Sequence, residues 1–156
     1  MKWRTYTFHE FQLKDLYEIL KLRTEIFVKE QECPYQEIDD RDDSAYHITG
    51  KEEGELIAYA RVLPAGMEFP EVSIGRVAVR MDQRKKGFGD EIFKKTLNTV
   101  KNKFGEVPIM LCAQTYLVDF YEKYGFEKVG KEFVLDGIEH VKMKVENSNE
   151  TFLKEY

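Results

Sequence analysis

Val77-Ala78-Val79-Arg80-Met81-Asp82-Gln83-Arg84-Lys85-Lys86-Gly87-Phe88-Gly89-Asp90 joins an apolar strand to a long helix through a basic, glycine-containing turn. Val77 and Val79 alternate as the end of a buried strand. Phe88, Ile92, Phe93, Leu97, Val100 and Phe104 recur at helical spacing and make one apolar face. The turn therefore sits at a helix N-terminus, where the first amide N–H groups lack partners and the macrodipole adds partial positive charge. A phosphate can accept several hydrogen bonds there at once. Gly87 and Gly89 let the backbone approach such a ligand, and Arg84, Lys85 and Lys86 supply local positive charge. The same residues also suit an ordinary turn with solvated basic side chains, and Arg-x-x-Gly-x-Gly alone does not separate the two. A Walker loop is excluded because no Gly-x-x-x-x-Gly-Lys-Ser/Thr occurs here, and a Rossmann turn because Ile92 stands where a third small residue is needed.

With these residues in view, the turn resembles the acyl-CoA pyrophosphate loop of the GCN5-related N-acetyltransferases. Phe120-Tyr121-Glu122-Lys123-Tyr124-Gly125-Phe126 is similar to the same family's Phe-Tyr-Glu-Lys-x-Gly-Phe segment, and two motifs in the right order are far more specific than either alone. The stretch 23–39, from Arg23 to Asp39, resembles the N-terminal signature of the family's ElaA-like branch. The resemblance implies one α/β domain over residues 1–146, followed by a polar tail over 147–156. Its expected sheet is mixed, mostly antiparallel and flanked by helices, with parallel fourth and fifth strands that splay apart to admit a pantetheine arm. It also implies acetyl-CoA as co-substrate, direct transfer to an amine with no covalent enzyme intermediate, and no metal.

Composition agrees with a single domain: 156 residues, 42% apolar and 13% aromatic, are enough to bury a core. A net charge of -5 disfavours a general nucleic-acid binder, whose surface must attract polyphosphate. Cys33 and Cys112 belong to no Cys-x-x-Cys pair, no leader resembles a signal peptide and no apolar run is long enough for a bilayer. A cytoplasmic protein with reduced thiols and no membrane partner is expected. Asp39, Asp40, Asp42 and Asp43 do not make a calcium loop. A register starting at Asp39 places Gly50 where a bidentate Glu is required.

Along the chain, strands are expected at 3–8, 46–51, 56–63, 72–79 and 109–113, with a final hairpin about Asp136-Gly137. Leu13, Leu16, Leu20 and Phe27 form an amphipathic stripe for a first helix, which Pro34 ends. Gly75 marks a bulge or a close backbone approach within its strand. Residues 147–156 are polar enough to fray, although Phe152, Leu153 and Tyr156 could dock.

The resemblance assigns Val77 and Val79 a backbone role along the pantetheine arm and places Tyr121 near the CoA sulfur, where a phenol can donate to the leaving thiolate. The competing reading of Tyr121 is a core aromatic, a role that suits Tyr124 better. Gln114 stands where many members carry asparagine and Leu117 where many carry alanine; a glutamine amide makes the same kinds of hydrogen bond. Candidate bases for the acceptor amine are Glu37, Asp39, His47 and His140. Of these, His140 lies in a segment similar to the branch's Asp-Gly-Ile-Pro-His, with Glu139 in place of proline. The acidic, partly aromatic stretch 31–42, carrying Gln31, Tyr35, Glu37 and Asp39, is expected to wall the pocket of a small-molecule or peptide amine. A homodimer is left open, and the alternative function is a CoA-binding module without transfer activity.

Overall fold

The structure is a computed structural model that describes residues 1–151. Strands β1 (Lys2–Thr7), β2 (Tyr46–Glu52), β3 (Glu55–Leu63), β4 (Val72–Val79), β5 (Ile109–Gln114), β6 (Glu127–Leu135) and β7 (Ile138–Val145) form one sheet in the order β1-β2-β3-β4-β5-β7-β6. All neighbours are antiparallel except β4 and β5. Helix α1 (Leu13–Arg23) packs on one face, and α2 (Phe88–Phe104) and α3 (Val118–Glu122) pack on the other.

Two-residue turns explain the hairpins. Glu53 and Gly54 have φ of 52° and 79°, and Asp136 and Gly137 have φ of 52° and 78°, the doubly left-handed pattern whose twist matches adjacent antiparallel strands. Strand β3 is buried on both faces, so Ala58, Ala60 and Val62 join the core under α2 while Tyr59 lies under α1. The β4 irregularity falls next to Gly75. Tyr59 pairs with Ala78 but Arg61 pairs with Gly75, so β4 uses one residue more than β3, and Arg76 takes φ 53°.

The expected stripe of α1 is rotated. Leu13 is 89% exposed, and Ile19, Leu22 and Ile26 are buried instead, in line with a fully buried Arg23. Arg23 is drawn to carboxylates over the sheet, and this sets which face turns inward. The helix does not run on to Pro34. It widens into a π-helical turn over Thr24–Glu30, and Glu32 then takes φ 51°.

The polar stretch from Asn147 folds against the body as far as Thr151, the last described residue; Phe152, Leu153 and Tyr156 lie outside the described residues. Buried Ser148 donates from Oγ to the Gly105 carbonyl at 2.7 Å and accepts from the Val107 amide at 3.3 Å. These bonds complete the end of α2 and the entry to β5, which is why a polar sequence is held there. Gly125 has φ +90°, and a Cβ there would stand 2.7 Å from the Glu150 carbonyl oxygen. Gly125→Ala is therefore expected to cost about 1–3 kcal/mol, read as a lower urea midpoint with an unchanged slope.

Candidate active site

The parallel ladder joins β4 to β5 through Val72–Ile109, Ser73–Met110 and Ile74–Leu111, and then stops. Past that point the strands diverge, and a cleft of about 470 Å³ opens between them. Val77 and Val79 line it from β4, and Cys112 and Gln114 line it from β5. A gap bordered by strand edges is a place where an extended ligand can take up free backbone groups.

The basic turn closes one end. Gly87, with φ +84°, caps α2 without a side-chain acceptor, and the first amide to bond back is that of Glu91, to the Gly87 carbonyl. The amides of Phe88, Gly89 and Asp90 thus have no partner among the described residues. Arg84, Lys85, Phe88 and Gly89 line the cleft, whereas Lys86 and Gly87 do not. The Lys86 ammonium reaches Gln83 Oε1 at 3.1 Å instead, and Gly87 shapes the turn. A Cβ on Gly89 would meet Phe120 at 4.0 Å, which is ordinary contact, so packing within the protein does not require glycine there. The bare backbone at Gly89 faces the cleft, which fits an anionic group seated on the helix N-terminus.

Tyr121 lines the cleft from α3 and is 8% exposed. Its ring lies edge-on to Phe93 at 5.2 Å, and its hydroxyl has no hydrogen-bond partner among the described residues. Burial pushes its phenol well above the ordinary range, so the group stays protonated and is a donor waiting for an acceptor. Tyr124, three residues on, fits the structural role: its hydroxyl donates to the Asp90 carboxylate near the start of α2.

On the acceptor side the structure sorts the expected residues sharply. Gln31, Tyr35 and His140 line the cleft; Glu37, Asp39 and His47 do not. Glu37 accepts from Arg23 Nη2 at 3.0 Å and Arg76 Nε at 2.7 Å. Asp39 is held by both Arg61 terminal nitrogens at 2.8 and 2.7 Å. Asp42 joins Arg23 and Arg61 at 2.7 and 3.0 Å. Burial alone would raise the Asp39 carboxyl, but the hydrogen bonds and charge of Arg61, with Arg76 behind, hold it far below the usual range. These carboxylates face inward and are neutralised, so the stretch is not a negatively charged wall.

His47 is fully buried in β2. Its Nε2 donates to the Asp42 carbonyl at 2.8 Å and its Nδ1 accepts from the Tyr59 hydroxyl at 2.6 Å. His140 differs, because its Nδ1 donates to the Ile138 carbonyl at 2.7 Å, which leaves the Nε2 lone pair free in the neutral ring. It stands directly opposite Gln114 in the β5–β7 register and stacks on Phe133.

Tyr35, half-buried, is pushed up to about 12 by burial and lies under the Arg76 guanidinium. The cleft also takes in Glu30, Cys33, Glu68 and Arg76, which sequence reasoning did not select. Cys33 is buried, and its Sγ donates to the Asp136 carbonyl at 3.0 Å, pinning the loop to the tip of the last hairpin. Glu30 and Cys33 lie inside the branch-like signature and could have been weighed from it; no local pattern marks Glu68 or Arg76.

A mixed sheet opening at its parallel pair, with a glycine-bearing helix N-terminus at one end of the opening, defines an acyl-CoA-dependent acyltransferase fold. Residues 14–147 match the acetyltransferase (GNAT) domain. The chain is 38% identical over 145 residues to the protein ElaA of Escherichia coli, covering 92% of this chain and 95% of that one. It superposes on the crystal structure of Escherichia coli ElaA with a TM-score of 0.88 at 37% identity, over 93% of this chain and 99% of the other. A Pseudomonas aeruginosa acyl-CoA N-acyltransferase gives 0.87 at 35% identity, over 92% and 99%. The chain belongs to the GNAT acetyltransferase family, in its ElaA-like branch.

Burial lowers the affinity of His47 for a proton below that set by its ordinary value of 6.5; the carbonyl and charge of Asp42 oppose this, and Arg23 and Arg61 add to the lowering. The unfolded chain therefore binds that proton first as pH falls. Stability is full above about pH 6.5 and declines below it, with a further loss below about pH 4 as Asp39 and Asp42 are protonated. The Tm is expected to drop between pH 7 and pH 5, and to drop less in His47→Gln.

Proposed function

We propose that the protein is an N-acetyltransferase that moves an acetyl group from acetyl-CoA directly to an amine acceptor, a small molecule or a peptide. One observation carries the reading above the others: the unpaired helix N-terminus at Phe88 and Gly89 opens into the same cleft as Tyr121 and His140. A cytoplasmic location goes with it, supported by two free thiols; no helix among the described residues is long and apolar enough to cross a membrane.

The amides of Phe88, Gly89 and Asp90, with Lys85 beside them, would hold the pyrophosphate, and the strand edges at Val77 and Val79 would hold the pantetheine amides. Acetyl-CoA supplies the thioester carbonyl that the amine nitrogen attacks. His140 Nε2, whose lone pair is free when Nδ1 donates to Ile138, would take the proton the amine loses. Tyr121 donates a hydrogen bond to the sulfur as the carbon–sulfur bond breaks and CoA leaves as the thiolate. The phenol starts less acidic than usual, so its main contribution is a hydrogen bond that strengthens as negative charge grows on sulfur, within the roughly 10²–10⁴-fold range of general acid assistance.

Gly89→Val adds a branched side chain where only Phe120 stands nearby, so the fold is expected to persist while acetyl-CoA affinity falls at least about tenfold by calorimetry. An unchanged affinity would move the phosphate site elsewhere. Tyr121→Phe should lower kcat by about 100-fold with acetyl-CoA affinity within a factor of about two, because the lost hydroxyl acts on charge that develops only in the transition state. Equal loss in both quantities would make Tyr121 a packing residue.

A further inference from the structure

Arg84 lines the cleft beside the phosphate-binding turn, yet it is already engaged. Its Nη1 meets Glu30 Oε1 at 2.7 Å, its Nη2 donates to Oε2 at 2.9 Å, and its Nε donates to the Val79 carbonyl at 3.1 Å. This pair, in which Oε2 accepts a hydrogen bond while the close Oε1 is buried and accepts none, bridges the turn before α2 and the last residue of the π-helical turn, and both partners line the cleft. The pair is partly open to water, with 40% of the Arg84 side chain and 20% of Glu30 exposed, so its net strength is modest. A pyrophosphate on the neighbouring amides brings a larger negative charge and more acceptor oxygens to the same guanidinium.

Resting on the acetyltransferase reading, we infer that the Arg84–Glu30 pair masks the acceptor site: a bound coenzyme pyrophosphate draws Arg84 off Glu30, and the freed carboxylate takes the cationic group of the acceptor. Glu30 is suited to this by elimination as well as by position. Glu37 and Asp39 lie outside the cleft, committed to Arg23, Arg61 and Arg76. Glu68 also lines the cleft but is exposed beside Cys112, so coenzyme binding does not change its availability. Gln31 and Tyr35 follow Glu30 in the chain and line the same cleft. Two consequences are built in: the coenzyme binds before the acceptor, and the acceptor carries a positive charge close to the reacting amine.

Glu30→Gln separates this from the simplest alternative by the sign of the effect. If Glu30 competes with pyrophosphate for Arg84, the near-isosteric amide should bind acetyl-CoA about threefold tighter in calorimetry, the size expected for release of a partly exposed ion pair. Weaker binding would mean that Glu30 only holds Arg84 in place for the phosphate, and unchanged binding would mean that the pair never opens; either overturns the inference. In the wild type, the Glu30 carboxyl ¹³C resonance, assigned by its loss in Glu30→Gln, should respond to 1,3-diaminopropane with CoA present and not without it. No response in the CoA-bound protein would remove the cation site. Failure of the wild type to bind acetyl-CoA at all would instead defeat the acetyltransferase reading itself.

Discussion

Three arginines and three carboxylates, most of them buried, between α1 and the sheet hold the irregular part of this protein in place. Arg23 and Arg61 are almost wholly enclosed, and Glu37, Asp39 and Asp42 satisfy them, with Arg76 closing the set from the edge of the cleft. The charges sum to zero, so what matters is completeness. Burial of such ions is costly, and loss of one partner strands another at a cost of about 3–5 kcal/mol. The stretch between α1 and β2 has little regular structure, and this network ties it to β3 and β4. It also decides how α1 is rotated and fixes Tyr35 and Arg76 at the cleft.

The coenzyme side and the acceptor side of the cleft are consequently built by different means. The coenzyme side comes from a strand, a turn and a helix that follow one another in the chain, with geometry set by φ angles and hydrogen bonds within a few residues. The acceptor side is assembled from the π-helical turn, the loop carrying Cys33 and Tyr35, and the last hairpin. Cys33 and the Asp136 carbonyl join two of those parts across 103 residues of sequence. Tyr121 and Phe93 lie where the two sides meet, so the proposed hydrogen-bond donor is mounted on the aromatic core and not on a loop.

This difference sets what could be read in advance. The strand-to-helix turn, the hairpins and the structural role of Tyr124 were legible because each depends on neighbours in sequence. The opening of the sheet came from family resemblance and is present in the register. The stripe of α1 was misread because Leu13, Leu16 and Leu20 are apolar, while the inward face is chosen by a charged residue, Arg23. Glu37, Asp39 and His47 looked available for chemistry because their partners stand far off in sequence, 14 residues away for Arg23 and Glu37 and 22 for Asp39 and Arg61. An acidic loop and an arginine inside a β-strand each look solvated or anomalous alone; only the fold shows that they cancel.

The short parallel ladder also has a mechanical meaning. Three residue pairs join β4 to β5, against six between β1 and β2 and six between β5 and β7, so the sheet is two stiff ribbons meeting along a narrow weld. Across that weld Phe93, from α2, lies against Phe120, Tyr121, Tyr124 and Phe126 of the second ribbon, at centroid separations of 4.8 to 5.8 Å. Edge-on rings can slide by small amounts without losing contact, whereas a ladder hydrogen bond cannot. The width of the slot is thus set where the ladder hydrogen bonds end and an aromatic contact takes over.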